Sequence, residues 1–353
     1  MLQETGGFRI HALGLIPTPD EVINKYPVTH EIIKHVAQFR QQVENILTGK
    51  DRRLIVIIGP CSVHDTEAAL DYAHKLFPIQ KKHKNQLLIV MRTYFEKPRT
   101  VIGWKGLIAD PNLDGSYALE TGLKKARKLL LDINQLGLAA ATEFLDMITS
   151  HYIADLISWG AVGARTTESP LHREMASALS CPIGFKNGTN GNIKIAIDAI
   201  RASRVSHYFY SPNRNGRMTV YRTNGNPYGH VILRGGKTAP NYDSESVENV
   251  CKQLSELNLP QRLVIDFSHA NCKNEHSSQL TVAQNICKQI QSGKGYIAGI
   301  MAESFLKEGN QSIKDLENLT YGQSVTDPCL GWEDTILMLK MLARAMKAYC
   351  HLK

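Results

Sequence analysis

Eight times along this chain an apolar, β-branched run gives way to a stretch with helical periodicity. The runs are LIVIIG (54–59), LLIVMRTYF (87–95), LAAATEF (138–144), AVGARTT (161–167), PIGFKN (182–187), HVILRGG (230–236), RLVIDFSH (262–269) and YIAGIMAES (296–304). Their apolar residues are continuous rather than alternating, which marks strands covered on both faces, as in a parallel sheet. Between them lie patterns such as SYALETGLKKARKLLLDINQLG and SVENVCKQLSELN, several opened by Asp or Ser and closed by Gly or Asn. Eight strand–helix units predict an α/β protein, a (β/α)8 TIM barrel. A chain of 353 residues, 43% of them hydrophobic, has enough apolar mass for one such barrel.

Two segments exceed a minimal barrel. Residues 1–50 form an N-terminal extension containing the helical pattern THEIIKHVAQFRQQVENILTG. Residues 207–229, HYFYSPNRNGRMTVYRTNGNPYG, alternate in polarity around Asn-Gly turn signals and predict a β-hairpin inserted before the sixth strand. The expected organisation is therefore extension 1–50 and catalytic barrel 51–353 carrying the hairpin. Either addition serves packing and oligomerisation, or it carries regulation.

No stretch approaches the roughly 18 apolar residues of a membrane span. The first twenty residues lack a charged segment followed by an apolar one, so no secretory signal is expected. Seven cysteines, an odd number without close pairs, suit a reducing cytoplasm. The net charge of +8 comes from lysines and arginines standing singly at the ends of apolar segments. That dispersal argues against a nucleic-acid stripe and for small anionic substrates.

In a barrel of this type the chemistry gathers where strands end. Those ends present, in order, Cys61, Arg92, Glu143, Arg165, Lys186, Arg234, His269 and Glu303, with Asp327 in the following loop. So many ionisable groups around one rim require an anion or a metal to balance them. Cys61, His269, Glu303 and Asp327 offer one sulfur, one imidazole and two carboxylates, a set suited to Mn, Fe, Co, Zn or Cu rather than Mg or Ca. Asp65 opens DTEAALDYA and reads as a helix cap, and neighbouring His64 is set aside with it. Arg92, Lys97, Arg99, Arg165, Lys186 and Arg234 are more cations than one small anion needs, so they predict two anionic substrates or one with several anionic groups. The loop EKPRTVIGWKGL clusters Lys97, Arg99 and Thr100 around Pro98, as a phosphate-binding turn or a solvated surface turn.

The motifs GPCSVHD, MRTYFEKPRTVIGWKGL, GARTTES, GFKNGTNG, ILRGGK, DFSHANC, MAESFLKEGNQ and YGQSVTDPCLGWEDT, in this order over nearly the whole chain, resemble 3-deoxy-D-arabino-heptulosonate 7-phosphate (DAHP) synthases of the short microbial type. The resemblance implies a (β/α)8 barrel with both additions. It also implies condensation of phosphoenolpyruvate with erythrose 4-phosphate as the first step of the shikimate pathway. Carried over, Cys61, His269, Glu303 and Asp327 match the ligands of one divalent metal. Arg92, Lys97, Arg165, Lys186 and Arg234 match the residues holding phosphoenolpyruvate. Arg99 and Thr100 match the sugar-phosphate turn, and Lys97 is the candidate general acid. Homodimers or homotetramers are implied, with the extension packed across a neighbour.

The resemblance further implies feedback by an aromatic amino acid bound between barrel and hairpin, at Met147, Ser150, Met175, Leu179, Ser180, Phe209, Ser211 and Tyr221. Phenylalanine-responsive relatives carry Pro and Val where Ser150 and Tyr221 stand. SPNRNGRMTVYRTNGNPYGH is similar to the tryptophan-sensitive branch, so tryptophan is expected before phenylalanine and tyrosine. Two rivals remain open: an enzyme like 3-deoxy-octulosonate 8-phosphate synthase, and a regulatory paralogue without catalysis.

Overall fold

The computed structural model describes residues 9–99 and 103–351. Eight parallel strands close into a barrel: β1 (Leu54–Gly59), β2 (Leu87–Arg92), β3 (Ala139–Glu143), β4 (Trp159–Val162), β5 (Ile183–Lys186), then, after a hairpin of β6 (Tyr208–Pro212) and β7 (Met218–Arg222), β8 (His230–Leu233), β9 (Leu263–Asp266) and β10 (Ile297–Glu303). Their order around the barrel is β1-β10-β9-β8-β5-β4-β3-β2, so β10 completes the ring against β1. Every residue of β1, β2, β4, β5, β8 and β9 is buried, which is the physical reason for the unbroken apolar runs. The helical patterns between them become the outer layer, as in Leu119–Leu136 and Ser278–Gln291. Asp65 caps the helix Thr66–His83, its carboxylate accepting from the backbone N–H groups of Glu67 and Ala68 at 2.9 and 3.1 Å. No helix among the described residues is long and apolar enough to cross a membrane.

One strand is shorter than its sequence run. AVGARTT suggests extension to Thr167, but β4 stops at Val162 and residues 163–167 form a turn closed by Thr167 N–H on Gly163 O at 3.0 Å. The Thr167 hydroxyl donates to Gly163 O at 2.8 Å and Lys186 O at 2.9 Å, an alternative to ladder pairing that β-propensity does not reveal. Gly163 leaves room for Glu143, whose Oε1 would lie 2.1 Å from a Cβ at that position.

The extension is partly barrel. In the helix His30–Leu47, capped by Thr29, the buried residues Phe39, Val43, Ile46 and Leu47 pack with Ile55, Ile57, Leu88 and Val90 of the barrel interior. The helix thus plugs the N-terminal mouth. Arg40 pins it by donating to the carbonyls of Ala154 and Ile157 at 2.7–2.9 Å.

The hairpin forms as expected, with Phe209 opposite Tyr221 and Ser211 opposite Thr219. Its turn closes through Asn213 N–H on Arg217 O at 2.8 Å and places Gly216 at φ 77°, where a glycine costs least. At the opposite, C-terminal mouth, the segment after β10 folds back on itself. Ser304 pairs with Leu330 and Gly309 with Cys329, and this delivers Asp327 over the barrel.

Candidate active site

Strand ends and the folded-back loop bring the donor atoms together. Cys61 follows β1, fully buried, its backbone N–H 3.4 Å from Cys329 Sγ. Asp327 Oδ2 lies 3.3 Å from Cys61 Sγ. Glu303 ends β10 in register with Gly59, and Gln279 clamps its backbone by donating to its O and accepting from its N–H, each at 3.0 Å. The ligand atoms of Cys61, Glu303 and Asp327 all lie within 4.8 Å of one another. His269 stands at the edge of this group, with Nε2 3.9 Å from Glu303 Oε1. A thiol and two carboxylates converging beside an imidazole fit a borderline divalent ion.

The surrounding charges fit as well. Lys97 Nζ donates to Cys61 Sγ at 3.0 Å. Burial pushes the Cys61 thiol up to about 12, with Glu303 adding to the rise and Lys97 opposing it. A metal arriving here would displace that proton. Burial works against the Lys97 ammonium, but Cys61, Glu303 and Asp327 outweigh it and hold the group above the usual lysine value. Asp327 is likewise penalised by burial yet held below the carboxylate range by Lys97 and His269.

Beyond these donors opens a cleft of about 820 Å³ lined by Lys97, Arg99, Glu143, Arg165, Lys186, Arg234, His269 and Asp327, with Lys237 and Lys273. Arg165 rides on the turn after β4, and Arg99 is steadied by donating from Nε to Trp104 O at 2.9 Å. Burial lowers the Arg234 guanidinium from its usual value, most strongly among its causes. Arg92 lies differently. It is 1% exposed, beneath the donor group, with Nη2 3.1 Å from Glu303 Oε1, Nε donating to Pro60 O at 3.3 Å and its guanidinium 3.8 Å from the Tyr94 ring centre. Gly59 makes room for it, since a Cβ there would lie 2.8 Å from Arg92 O. Thr100 lies outside the described residues. His64 packs edge-on to Phe305 at 6.2 Å and is not part of the converging donor group.

Sequence reasoning passed over Asp266, which ends β9 fully buried with Oδ2 2.9 Å from Lys186 Nζ and 3.0 Å from His269 Nδ1. Burial raises this carboxyl, but Lys186 and His269 hold it well below its ordinary value. A carboxylate closing an apolar strand run was the available signal. Glu96 was also missed. Burial first, then Asp146, raise it to about 7, and its Oε2 accepts from Thr149 Oγ1 at 3.0 Å.

The candidate effector residues fall on the outer side, next to the segment 147–151. Phe209 and Tyr221 stack at 5.5 Å, and Ser211 Oγ lies 3.1 Å from His151 Nε2 and 3.4 Å from Met147 O. Ser150 Oγ donates to Met147 O at 3.3 Å. Met175 is buried in the helix Pro170–Ala178, Leu179 follows it half-buried and Ser180 is exposed. Asn226, after β7, donates to Ala176 O and Leu179 O at 3.1 and 3.2 Å, tying hairpin to helix.

Residues 27–340 match the family model described as the DAHP synthetase I family. The chain is 58% identical over 345 residues to "Phospho-2-dehydro-3-deoxyheptonate aldolase, Trp-sensitive" of Escherichia coli (strain K12), covering 98% of this chain and 99% of that protein. It is 56% identical, with the same coverage, to the protein of that name from Buchnera aphidicola subsp. Schizaphis graminum. The solved phospho-2-dehydro-3-deoxyheptonate aldolase of Francisella tularensis SCHU S4 superposes with a TM-score of 0.94 at 46% identity, over 96% of this chain and 99% of that one.

Proposed function

Given that the chain belongs to the DAHP synthetase I family, we propose that it condenses phosphoenolpyruvate with erythrose 4-phosphate to DAHP and phosphate, under feedback inhibition by tryptophan. The observation that carries this reading is the meeting of a thiol–carboxylate group, Cys61 and Glu303 buried and Asp327 at its open side, with a ring of cations on one cleft.

The family uses a divalent metal, and in our reading Cys61, His269, Glu303 and Asp327 hold it here. When bound it supplies Lewis acidity to the aldehyde oxygen. The chain's own residues do the rest. Arg165, Lys186 and Arg234 grip the carboxylate and phosphate of phosphoenolpyruvate, with Arg92 supporting the floor from below. Arg99, with Thr100, takes the sugar phosphate. As C3 of phosphoenolpyruvate bonds to the aldehyde carbon, Lys97 is placed to give a proton to the oxygen that becomes a hydroxyl. Water adds at C2 and the C–O bond to phosphate breaks. Holding both anions in register contributes several kcal/mol, roughly, to such a condensation.

The effector reading rests on the hairpin's inner face, where Phe209, Tyr221, Ser211 and Ser150 join aromatic surface to hydroxyls. Seven cysteines, all free, support a cytoplasmic location.

Phosphate release from the two substrates tests the proposal. A chelator should abolish it, Mn, Fe or Co should restore it, and tryptophan alone of the aromatic amino acids should inhibit strongly. Turnover of a five-carbon aldose phosphate instead, or no turnover with any metal, would overturn the assignment.

A further inference from the structure

One side chain touches both halves of the site. Asp266 is 0% exposed at the end of β9, and its Oδ2 faces Lys186 Nζ at 2.9 Å and His269 Nδ1 at 3.0 Å. Its Oδ1 accepts from Ser268 N–H at 3.0 Å and from Ser268 Oγ at 2.6 Å, and that hydroxyl also lies 2.8 Å from His269 Nδ1, so Asp266 and Ser268 face the imidazole together. A second observation points the same way. His269 has φ 58°, a left-handed conformation that costs a residue with a Cβ. The chain accepts that cost where the ring's Nδ1 meets Asp266 and Nε2 turns to Glu303.

We infer that Asp266 is a positioning residue that couples the metal site to the phosphoenolpyruvate site by holding His269 and Lys186 on one carboxylate oxygen. The inference rests on the reading of the site proposed above. With Nδ1 protonated between Ser268 Oγ at 2.8 Å and the Asp266 carboxylate at 3.0 Å, Nε2 keeps the free lone pair facing the donor group, the arrangement that makes imidazole a stronger ligand. A metal held by Nε2 would draw electrons from the ring and strengthen the attraction of Nδ1–H for the Asp266 carboxylate 3.0 Å away. The carboxylate then holds Lys186 less firmly, and the ammonium is freer to meet the substrate anion. Metal and phosphoenolpyruvate therefore raise each other's affinity, by the same factor in both directions.

The test is calorimetric and needs no turnover. Mn2+ and phosphoenolpyruvate are titrated, separately and together, into metal-free wild-type protein and Asp266→Asn. In the wild type, saturating Mn2+ should tighten phosphoenolpyruvate binding by about fivefold or more, the low end of ordinary coupling. Asp266→Asn should weaken Mn2+ binding by about 10–100-fold, as loss of a ligand's outer partner does, and bring the coupling factor close to one. A purely structural role would not move that ratio. Wild-type coupling that survives in Asp266→Asn overturns the inference, as does a wild type that binds both ligands independently. If Asp266→Asn does not fold, Lys186→Gln removes one arm of the link, and undiminished coupling there overturns it equally. A wild type that binds neither ligand instead removes the proposed function, and this inference with it.

Discussion

Arg92 shows what a buried cation does beneath the proposed metal site. Its guanidinium sits 3.1 Å from Glu303 Oε1, and both side chains are almost wholly shielded from water. Removing one partner of such a pair leaves the other as an uncompensated buried charge, which costs about 3–5 kcal/mol. We predict that Arg92→Met destabilises the metal-free protein by that order in denaturant unfolding, and that Mn2+ recovers part of the loss because its charge faces the same carboxylate. Equal destabilisation with and without Mn2+ would separate Glu303 from the metal. Cys61 provides the complementary case, a thiol that burial pushes up to about 12 and that a metal bound here would deprotonate. Cys61→Ala should lose metal by elemental analysis and cut activity about 100-fold or more, while the folded barrel persists by circular dichroism.

Between residues and the barrel stand the elements that join the outer hairpin to the rim. The segment 147–151 meets Ser211 on one side, and on the other Thr149 donates to Glu96, the residue before Lys97. Glu96 faces Asp146 and Glu143 in a buried setting and titrates near 7, above the 4.5 of an exposed glutamate. A carboxyl raised in the folded state binds its proton more tightly there than when unfolded. Stability should therefore fall as pH rises from about 4.5 to about 7, by up to about 3 kcal/mol at 1.36 kcal/mol per unit. Unfolding free energies of wild type and Glu96→Gln should differ in slope over that window and run parallel above it. At the far end of the same path, Phe209→Ala should abolish inhibition by tryptophan while leaving phosphate release unchanged. The sequence carried the eight strands plainly, because burial on both faces leaves continuous apolar runs. It carried the donor set only through barrel logic, since Cys61 and Asp327 meet across 266 positions with no local spacing to announce them. What it hid were groups whose role is set by neighbours. Asp266 looks like one more polar residue near a strand end, Glu96 like a loop glutamate, and residues 163–167 like strand until Thr167 bonds back to Gly163.

For the whole molecule, the surfaces left uncovered form a pattern. The hairpin turns Phe209, Ser211 and Tyr221 inward, while Tyr208, Tyr210, Met218 and Val220 face outward, 65–78% exposed. Tyr210 and Val220 are cross-strand partners, so they make one continuous apolar face rather than scattered residues. The extension adds Ile10, Leu13 and Leu15, which are 76–100% exposed in the stretch before the helix Pro19–Lys25. The helix that follows it reaches the hairpin turn, where Asp20 N–H meets Arg214 O at 3.0 Å. A lone protein keeps such a set in water at a cost, and a second copy of the chain offers both faces to cover it. We expect a homodimer or homotetramer in light scattering at micromolar concentration. Charges placed on the outward face, as in Tyr210→Glu combined with Val220→Glu, should shift the protein to monomer with the barrel's melting temperature little changed. A wild-type monomer, or a double variant that assembles as wild type does, would show that this face stays open to solvent.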